Sequence, residues 1–450
     1  MKTRFSGLFT TLAALAVFAF ASACSLDYAN PNAADESQAL STREGLFALG
    51  VGMQQFYAAN TIEAYITRTG VTTRELGVTT TFQNPLDLQV GGADFPSESG
   101  DVLVVWQRSY RVIGMADNIL NNAPNTAITM SAGSRTGLLA LASLYKAMCL
   151  GHLAMYFEQA PITTGTPSQG ASFRPRAEVL AEAIRLLDNA AQQLSASAPD
   201  APFNTQVLAA GFNLANTVQA MRARFLNMAG RHADALQAAN AVNITAAGRS
   251  VFRYDAQINR NPVFVAVIQG NNYAPRDFFG TPVFTDTTDA RLRFFMRANS
   301  RLGTPPAAYP VDDLVAPFFA TVSSELPVFR MGEMALIRAE AQARQNNLSA
   351  AVEEINRIRT KTAAQDPFGI GAGLPPYSGA MTQAAILTEI YAQRCVELFL
   401  TGQRMEDARR FNRPAPPNPA SFGSERNRNF YPYPALERDN NANTPQNPPI

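Results

Sequence analysis

The amino-acid sequence predicts an all-α protein: TPR-like helical hairpins forming a superhelical scaffold, with long irregular loops carrying the ligand face. Three observations point there. Apolar residues recur at helical spacing through most of the chain, the helical stretches come in pairs joined by short polar turns, and one such pair is written twice, 116 residues apart.

The first element is an export signal. Lys2 and Arg4 give a positive start, Leu12 to Ala21 is an unbroken apolar run, and Ala21, Ser22 and Ala23 are small residues before Cys24. Residues 1–23 therefore read as a signal peptide. The run is shorter than the about 20 residues a membrane-spanning helix needs, and no later segment is expected to sustain one. Two processing routes meet after Ala23: an ordinary signal-peptidase cut, and a lipobox cut that leaves Cys24 to be acylated. Lipidation is the preferred reading, because an exported N-terminal Cys would otherwise be a reactive thiol with no visible partner. Residues 24–40, with Ala, Asn, Asp and Ser prominent, are expected to form a flexible tether.

Residues 41–450 then read as one helical domain, with a hairpin-bearing part over about 41–245 and a second part over about 246–450. Helices are expected over Thr42–Asn60, Val102–Asn122, Arg135–Phe157 and Arg176–Leu194, the last two separated by a loop holding Pro161, Gly165, Pro167 and Gly170. The repeated pair is Ala220–Val242 and Leu336–Ile358. Arg222-Ala223 falls on Arg338-Ala339, the Gly230-Arg231 turn on Asn346-Asn347, Ala235 on Ala351, Asn240 on Asn356 and Val242 on Ile358. Small residues at Ala223, Ala339, Ala235 and Ala351 let helices approach closely, which is the packing logic of TPR units. Gln383–Phe411 reads as one long final helix. Residues 71–100, 246–324 and 365–380 and a Pro- and Asn-rich tail from Pro414 read as irregular. The second of these carries Phe252, Tyr254, Tyr273, Phe278, Phe279, Phe284, Phe294 and Phe295, too many aromatics for a disordered segment, so it is expected to be packed.

Composition narrows the chemistry. The chain has 37 basic and 36 acidic residues, and loss of Lys2 and Arg4 with the signal would move the balance from +1 to −1. Neither a polyanion, nucleic acid included, nor an anionic lipid surface is implied as a partner. Cys149 and Cys395 sit in apolar helical patterns and read as two buried free thiols, with a disulfide between them as the alternative. With only two His in the chain, His152 in an apolar helix and His232 in a hairpin turn, a histidine triad or His-rich metal site has almost no material. His152 reads as a satisfied core residue and His232 as solvated. The glycines from Gly369 to Gly373 lack the strand and Lys-Ser/Thr of a phosphate loop and read as plain loop. Glu353 with Arg357 and Arg394 with Glu397 read as structural ion pairs. No catalytic residue, metal or cofactor is assigned.

The collected motifs resemble the SusD/RagB family of outer-membrane nutrient-uptake lipoproteins over nearly the whole chain. Leu26-Asp27 and Pro31 follow Cys24 as in that family. Trp106, Tyr110, Ile113, Asp117 and Asn118 are similar to its W-x3-Y-x2-I-x2-A-N helix, with one extra residue. Leu326–Ala341, with Pro327-Val328, Arg330, Glu333 and Arg338-Ala339-Glu340-Ala341, resembles its PVxRxxExxLxxAEA helix, and Asn356, Ile358 and Arg359 follow in its N-x-I/V-R. Ile390, Arg394, Glu397-Leu398, Gly402, Arg404, Asp407 and Arg410 look like its C-terminal helix motif. Tyr431-Pro432-Tyr433-Pro434, Glu437, Asn443 and Gln446-Asn447-Pro448 resemble its closing segment. Gln393, Thr401 and Ala408 depart from the pattern, and some buried ion pairs are expected to be missing there.

The resemblance implies a helical lid over a TonB-dependent outer-membrane channel of the SusC type, lipid-anchored and exposed at the cell surface, that captures oligomeric nutrient and hands it on. The ligand reads as an oligosaccharide, with peptide left open. The single Trp, Trp106, lies inside a helix and is not expected to be an exposed sugar platform. Candidate ligand residues are therefore Phe82, Asn84, Asp87 and Gln89 in the first irregular region, and Asn271, Asn272, Tyr273, Arg276, Asp277, Phe278, Phe279 and Tyr309 in the second. A lipid-anchored TPR scaffold binding only proteins, and a glycoside hydrolase working through two distant carboxylates, stand as the other readings.

Overall fold

The structure is a computed structural model that describes residues 40–164, 170–284, 286–306, 308–416 and 424–450; the signal, Cys24 and the tether up to residue 39 lie outside them, as do Gly165 and Pro167. It is mostly helical, with short two-stranded ladders between helices.

Helix α1 (Arg43–Phe56) begins at Thr42, whose hydroxyl accepts the Gly45 N–H at 3.1 Å. It does not stop at Asn60. The chain passes through a π-helical turn, Tyr57–Thr61, and runs on as α2 (Ile62–Thr72). Threonines hide this extension in the sequence. The Thr67 and Thr72 hydroxyls donate to the Glu63 and Arg68 carbonyls at 3.0 and 3.1 Å, so polar residues pack inside without unmet donors.

Strand β1 (Leu76–Val78) is followed by α3 (Gln83–Val90), a short helix where the sequence reads as loop. Pro85 sits in its first turn, where a missing N–H removes no helical bond. Helices α4 (Gly100–Asn122) and α5 (Ala132–Tyr156) follow. Against the expectation from sequence, α5 is long and apolar enough to cross a membrane, but its most apolar window is 94% buried, which marks the core helix of a folded body. Strands β2 (Gln159–Pro161) and β3 (Phe173–Pro175) pair antiparallel and bring α6 (Arg176–Ala196) back against α5.

After the short α7 (Ala201–Gln206) come α8 (Leu214–Met228) and α9 (His232–Asn240). The irregular middle holds β4 (Val251–Phe252), β5 (Tyr273–Pro275), α10 (Ala290–Phe295), β6 (Met296–Leu302), β7 (Pro310–Leu314) and β8 (Leu326–Pro327). Its aromatics do pack: the Phe279 ring lies 4.9, 6.0 and 5.1 Å from Phe284, Phe295 and Phe399. Phe278 is the exception, at 45% exposure.

Helices α11 (Met331–Arg344) and α12 (Leu348–Arg359) repeat the α8–α9 hairpin in the register the sequence predicts. Gly230 and Asn346 occupy equivalent turns with φ of +73° and +62°, the left-handed geometry that Gly and Asn tolerate best. Ala223, Ala339, Ala235 and Ala351 are all fully buried.

The long C-terminal helix is broken. Helix α13 (Gln383–Glu397) ends where Leu400 and Gly402 take φ of +55° and +78°, and α14 (Arg404–Arg410) starts afresh. The break is held from far away: Leu400 N–H donates to Glu75 Oε1 at 3.1 Å, and the Tyr156 hydroxyl to the Gly402 carbonyl at 2.9 Å. A last short helix, α15 (Ala435–Asn440), lies in the tail.

Two ion pairs differ from expectation. Arg357 meets Glu354 at 3.4 Å rather than Glu353. Glu397 is held by Lys361 and Arg291 at 2.6 and 3.0 Å, which leaves Arg394 to Asp407 at 2.8 Å. Gln393 serves Arg291 as a neutral acceptor at 2.6 Å where the family pattern has a Glu. Cys149 and Cys395 are buried free thiols. His152 is in the core, with Nδ1 at 2.7 Å from the Met148 carbonyl oxygen, while His232 is half-buried.

Candidate functional site

The two loop regions that carry the sequence-predicted ligand residues are joined by backbone. Strands β1 and β5 pair antiparallel, Leu76 opposite Pro275 and Val78 opposite Tyr273. The seam continues past the strands: Thr79 N–H donates to the Asn272 carbonyl at 2.9 Å, and Thr304 N–H to the Val78 carbonyl at 2.7 Å. Residues nearly 200 positions apart are thereby set side by side.

The candidate residues divide into three groups. Asn272 and Tyr273 line a cavity of about 870 Å³. Phe82, at 64% exposure, and Phe278 lie on the outer surface, with Asn84 and Asp87 on α3. Asn84 Oδ1 accepts the Gly100 N–H at 3.4 Å, and Asp87 accepts from Gln83. Asn271, at φ +49°, accepts from Arg301 at 3.1 Å. The remainder build framework. Gln89 is fully buried, taking the Val78 N–H at 2.7 Å and donating to the Thr304 carbonyl at 3.2 Å. Phe279 is fully buried among phenylalanines. Arg276 stacks 3.7 Å over the Tyr309 ring and lies 3.7 Å from Asp277.

The other wall of the cavity was not legible as a site. It is supplied by Phe56, Asn60, Glu63, Arg68, Arg108 and Arg111, while Asn259 and Arg260 add to the loop wall. Glu63 is the hub: one carboxylate oxygen takes Arg68 and the Thr67 hydroxyl (2.8 Å), the other takes Arg108 at 3.3 Å. Arg68 Nε also donates to Asp101 at 3.0 Å, and Arg108 to the Asn60 carbonyl at 2.6 Å. Burial alone would disfavour the charged Arg68, but Glu63 and Asp101 overcome it and hold the guanidinium above its ordinary pKa. Burial lowers Arg108, which Glu63 only partly restores, and raises the Asp101 carboxyl and the Tyr273 phenol. The one signal in sequence was the i, i+3 spacing of Arg108 and Arg111 on α4.

Chemically the cavity offers planar guanidinium donors, amide groups and the half-buried ring of Phe56, while Tyr273, 4% exposed, belongs to the framework. Its lining carboxylate, Glu63, is clamped by two arginines and a hydroxyl, an arrangement for binding rather than proton transfer. Among the described residues no group of three or more His, Cys, Asp or Glu is placed to hold a metal ion. A smaller cavity of about 540 Å³ borders Trp106 and Tyr110. There Trp106 is 3% exposed and its indole N–H already donates to Glu437 at 3.1 Å, so the ring is no free platform.

Residues 320–449 match the model of the SusD family. Over that segment the chain is SusD-like. Solved structures carry the likeness of fold beyond that segment. A SusD-like carbohydrate binding protein from Bacteroides vulgatus matches with a TM-score of 0.70 at 15% identity, covering 91% of this chain and 98% of that one. A SusD superfamily protein from Bacteroides thetaiotaomicron matches at 0.69 and 16%, covering 90% and 100%. A SusD-like carbohydrate binding protein from Bacteroides fragilis matches at 0.65 and 14%, covering 90% and 100%. None of the curated proteins matches the chain.

The motif residues of this SusD-like chain serve as architecture. Arg410 clamps Glu340 with two bonds of 2.8 and 2.9 Å, the Tyr431 hydroxyl meets Thr72 at 2.8 Å, and Asn447 Oδ1 accepts the Tyr433 N–H at 3.0 Å.

Proposed function

We propose that this chain is a cell-surface lipoprotein, anchored through Cys24 in the outer membrane, that captures an oligomeric glycan and delivers it to a TonB-dependent channel of the SusC type. The observation that carries the reading is the cavity at the β1–β5 seam, where the half-buried Phe56 ring lies beside a set of fixed polar donors, with Tyr273, 4% exposed, as part of the framework behind them. Sugar rings have an apolar face for stacking and a belt of hydroxyls for hydrogen bonding, and such a wall serves both. The SusD-like fold supports it, as do the similar structures from Bacteroides vulgatus and Bacteroides fragilis described as carbohydrate binding. The signal pattern before Cys24 supports export and acylation.

Two measurements test it. The Cys24→Ala chain, freed of its anchor, should bind members of a glycan array, and Phe56→Ala should weaken that binding; silence across the array while the channel co-purifies would favour a protein-binding scaffold instead. Acyl label should enter the wild-type chain and not Cys24→Ala, and equal label in both would remove the anchor.

A further inference from the structure

Charge is close to balanced over the whole chain, at +1, but not in the cavity. Four arginines line it, Arg68, Arg108, Arg111 and Arg260, against one lining carboxylate, Glu63. Asp101 stands behind Arg68 and brings the acids to two. Glu63 and Asp101 are both committed to Arg68 and Arg108. Among the described residues Arg111 and Arg260 have no carboxylate at ion-pairing distance. Arg111 is exposed and lies 4.7 Å over the Phe56 ring. Arg260 donates to a neutral group, Gln269 Oε1, at 2.6 Å, and its buried Nε–H reaches no protein acceptor.

We propose that the cavity selects an anionic glycan, one whose sugar units carry carboxylate or sulfate; this rests on the glycan reading above. Like charges held in a concave, partly desolvated wall repel one another, and the field there is focused rather than spread. An anionic group relieves that repulsion, and the planar fork of a guanidinium matches a carboxylate or sulfate edge with two parallel bonds. A neutral sugar would be served by amides and hydroxyls and would leave the excess unanswered. Phe56 adds a second feature: with Arg111 stacked on it, the ring fixes the guanidinium at the cavity wall instead of leaving it to sweep through solvent.

The test uses the Cys24→Ala chain and calorimetry with oligogalacturonates, their carboxyl-reduced neutral counterparts, sulfated oligosaccharides, a panel of neutral oligosaccharides and an acidic peptide. The expected result is binding of a uronate or a sulfated glycan, weakened by salt and lost on carboxyl reduction or desulfation. Which of the two arms responds names the anion. Arg111→Gln and Arg260→Gln should each weaken it about tenfold, with Arg111→Lys between wild type and Arg111→Gln. If neutral glycans bind and the acidic ones do not, or if the Arg111→Gln/Arg260→Gln double variant, shown folded by its melting temperature, binds acidic glycan as well as wild type, this inference falls and the glycan reading stands. Binding of the acidic peptide with no glycan of either kind would overturn both.

Discussion

Arg224 on α8 and Glu333 on α11 meet end-on with two bonds, Nε to Oε1 at 2.6 Å and Nη2 to Oε2 at 2.7 Å, in a site where the Glu333 side chain is wholly buried. The pair lies between the two copies of the helical hairpin. Removing one member leaves the other charge buried and alone. Glu333→Ala is expected to cost about 3–5 kcal/mol of stability, read from denaturant midpoints. A loss well under 1 kcal/mol would mean that water reaches Arg224 and that the hairpins are packed differently.

Stability should fall with acid, beginning near neutrality. Burial, with Arg224 adding to it, pushes the His152 imidazole from 6.5 down to about 3. The unfolded chain takes up its proton near pH 6.5 and the folded chain does not until about 3, so stability is whole above that window and drains as pH falls through it. Glu340 adds to the slope at lower pH. Its burial is outweighed by Arg410, Arg394 and Arg344, which hold the carboxyl below its usual range, so its contribution is present above the unfolded carboxylate pKa and lost beneath it. Denaturant midpoints at pH 7 and pH 5 should differ more for wild type than for His152→Leu; equal differences would place His152 in water.

Gly151 on α5 is a close-approach position. A Cβ there would lie 2.1 Å from Phe225 Cζ of α8, far inside any allowed contact. Gly151→Ala should therefore destabilise by about 1–3 kcal/mol through forced repacking. Combined with Phe225→Leu, the loss should be less than the sum of the two singles, because the second change opens the space the first one needs. Strict additivity would show that the two helices are not in contact.

Burial pushes both the Cys149 and the Cys395 thiol up to about 12. Thiolate is the reactive form, so at pH 8 the folded Cys24→Ala chain should give no reaction with a disulfide reagent and two thiols once denatured. A thiol that titrates without denaturant would contradict the packing of α5 or α13.

The hairpin repeat was legible because its signals are local: a turn residue that tolerates left-handed backbone at Gly230 and Asn346, and alanines where helices touch. The break after Glu397 was not, because the backbone of Leu400 is held by Glu75, 325 residues earlier. Helix α2 was missed for a related reason, since its threonines look exposed until their hydroxyls are seen returning to the helix's own carbonyls. Within the candidate site, Asn272 and Tyr273 stood out as polar and aromatic residues in a long loop. Arg68 and Arg108 did not, because each reads as an ordinary surface charge until Glu63 and Asp101 are brought to them by the crossing of α2 and α4.

The β1–β5 seam also sets an order of events. Closing it joins strands almost 200 residues apart, which costs more chain entropy than zipping any hairpin, so the cavity is expected among the last parts to form and the first to open. A ligand that bridges the seam would then act as a kinetic latch, slowing unfolding while leaving the folding rate almost untouched.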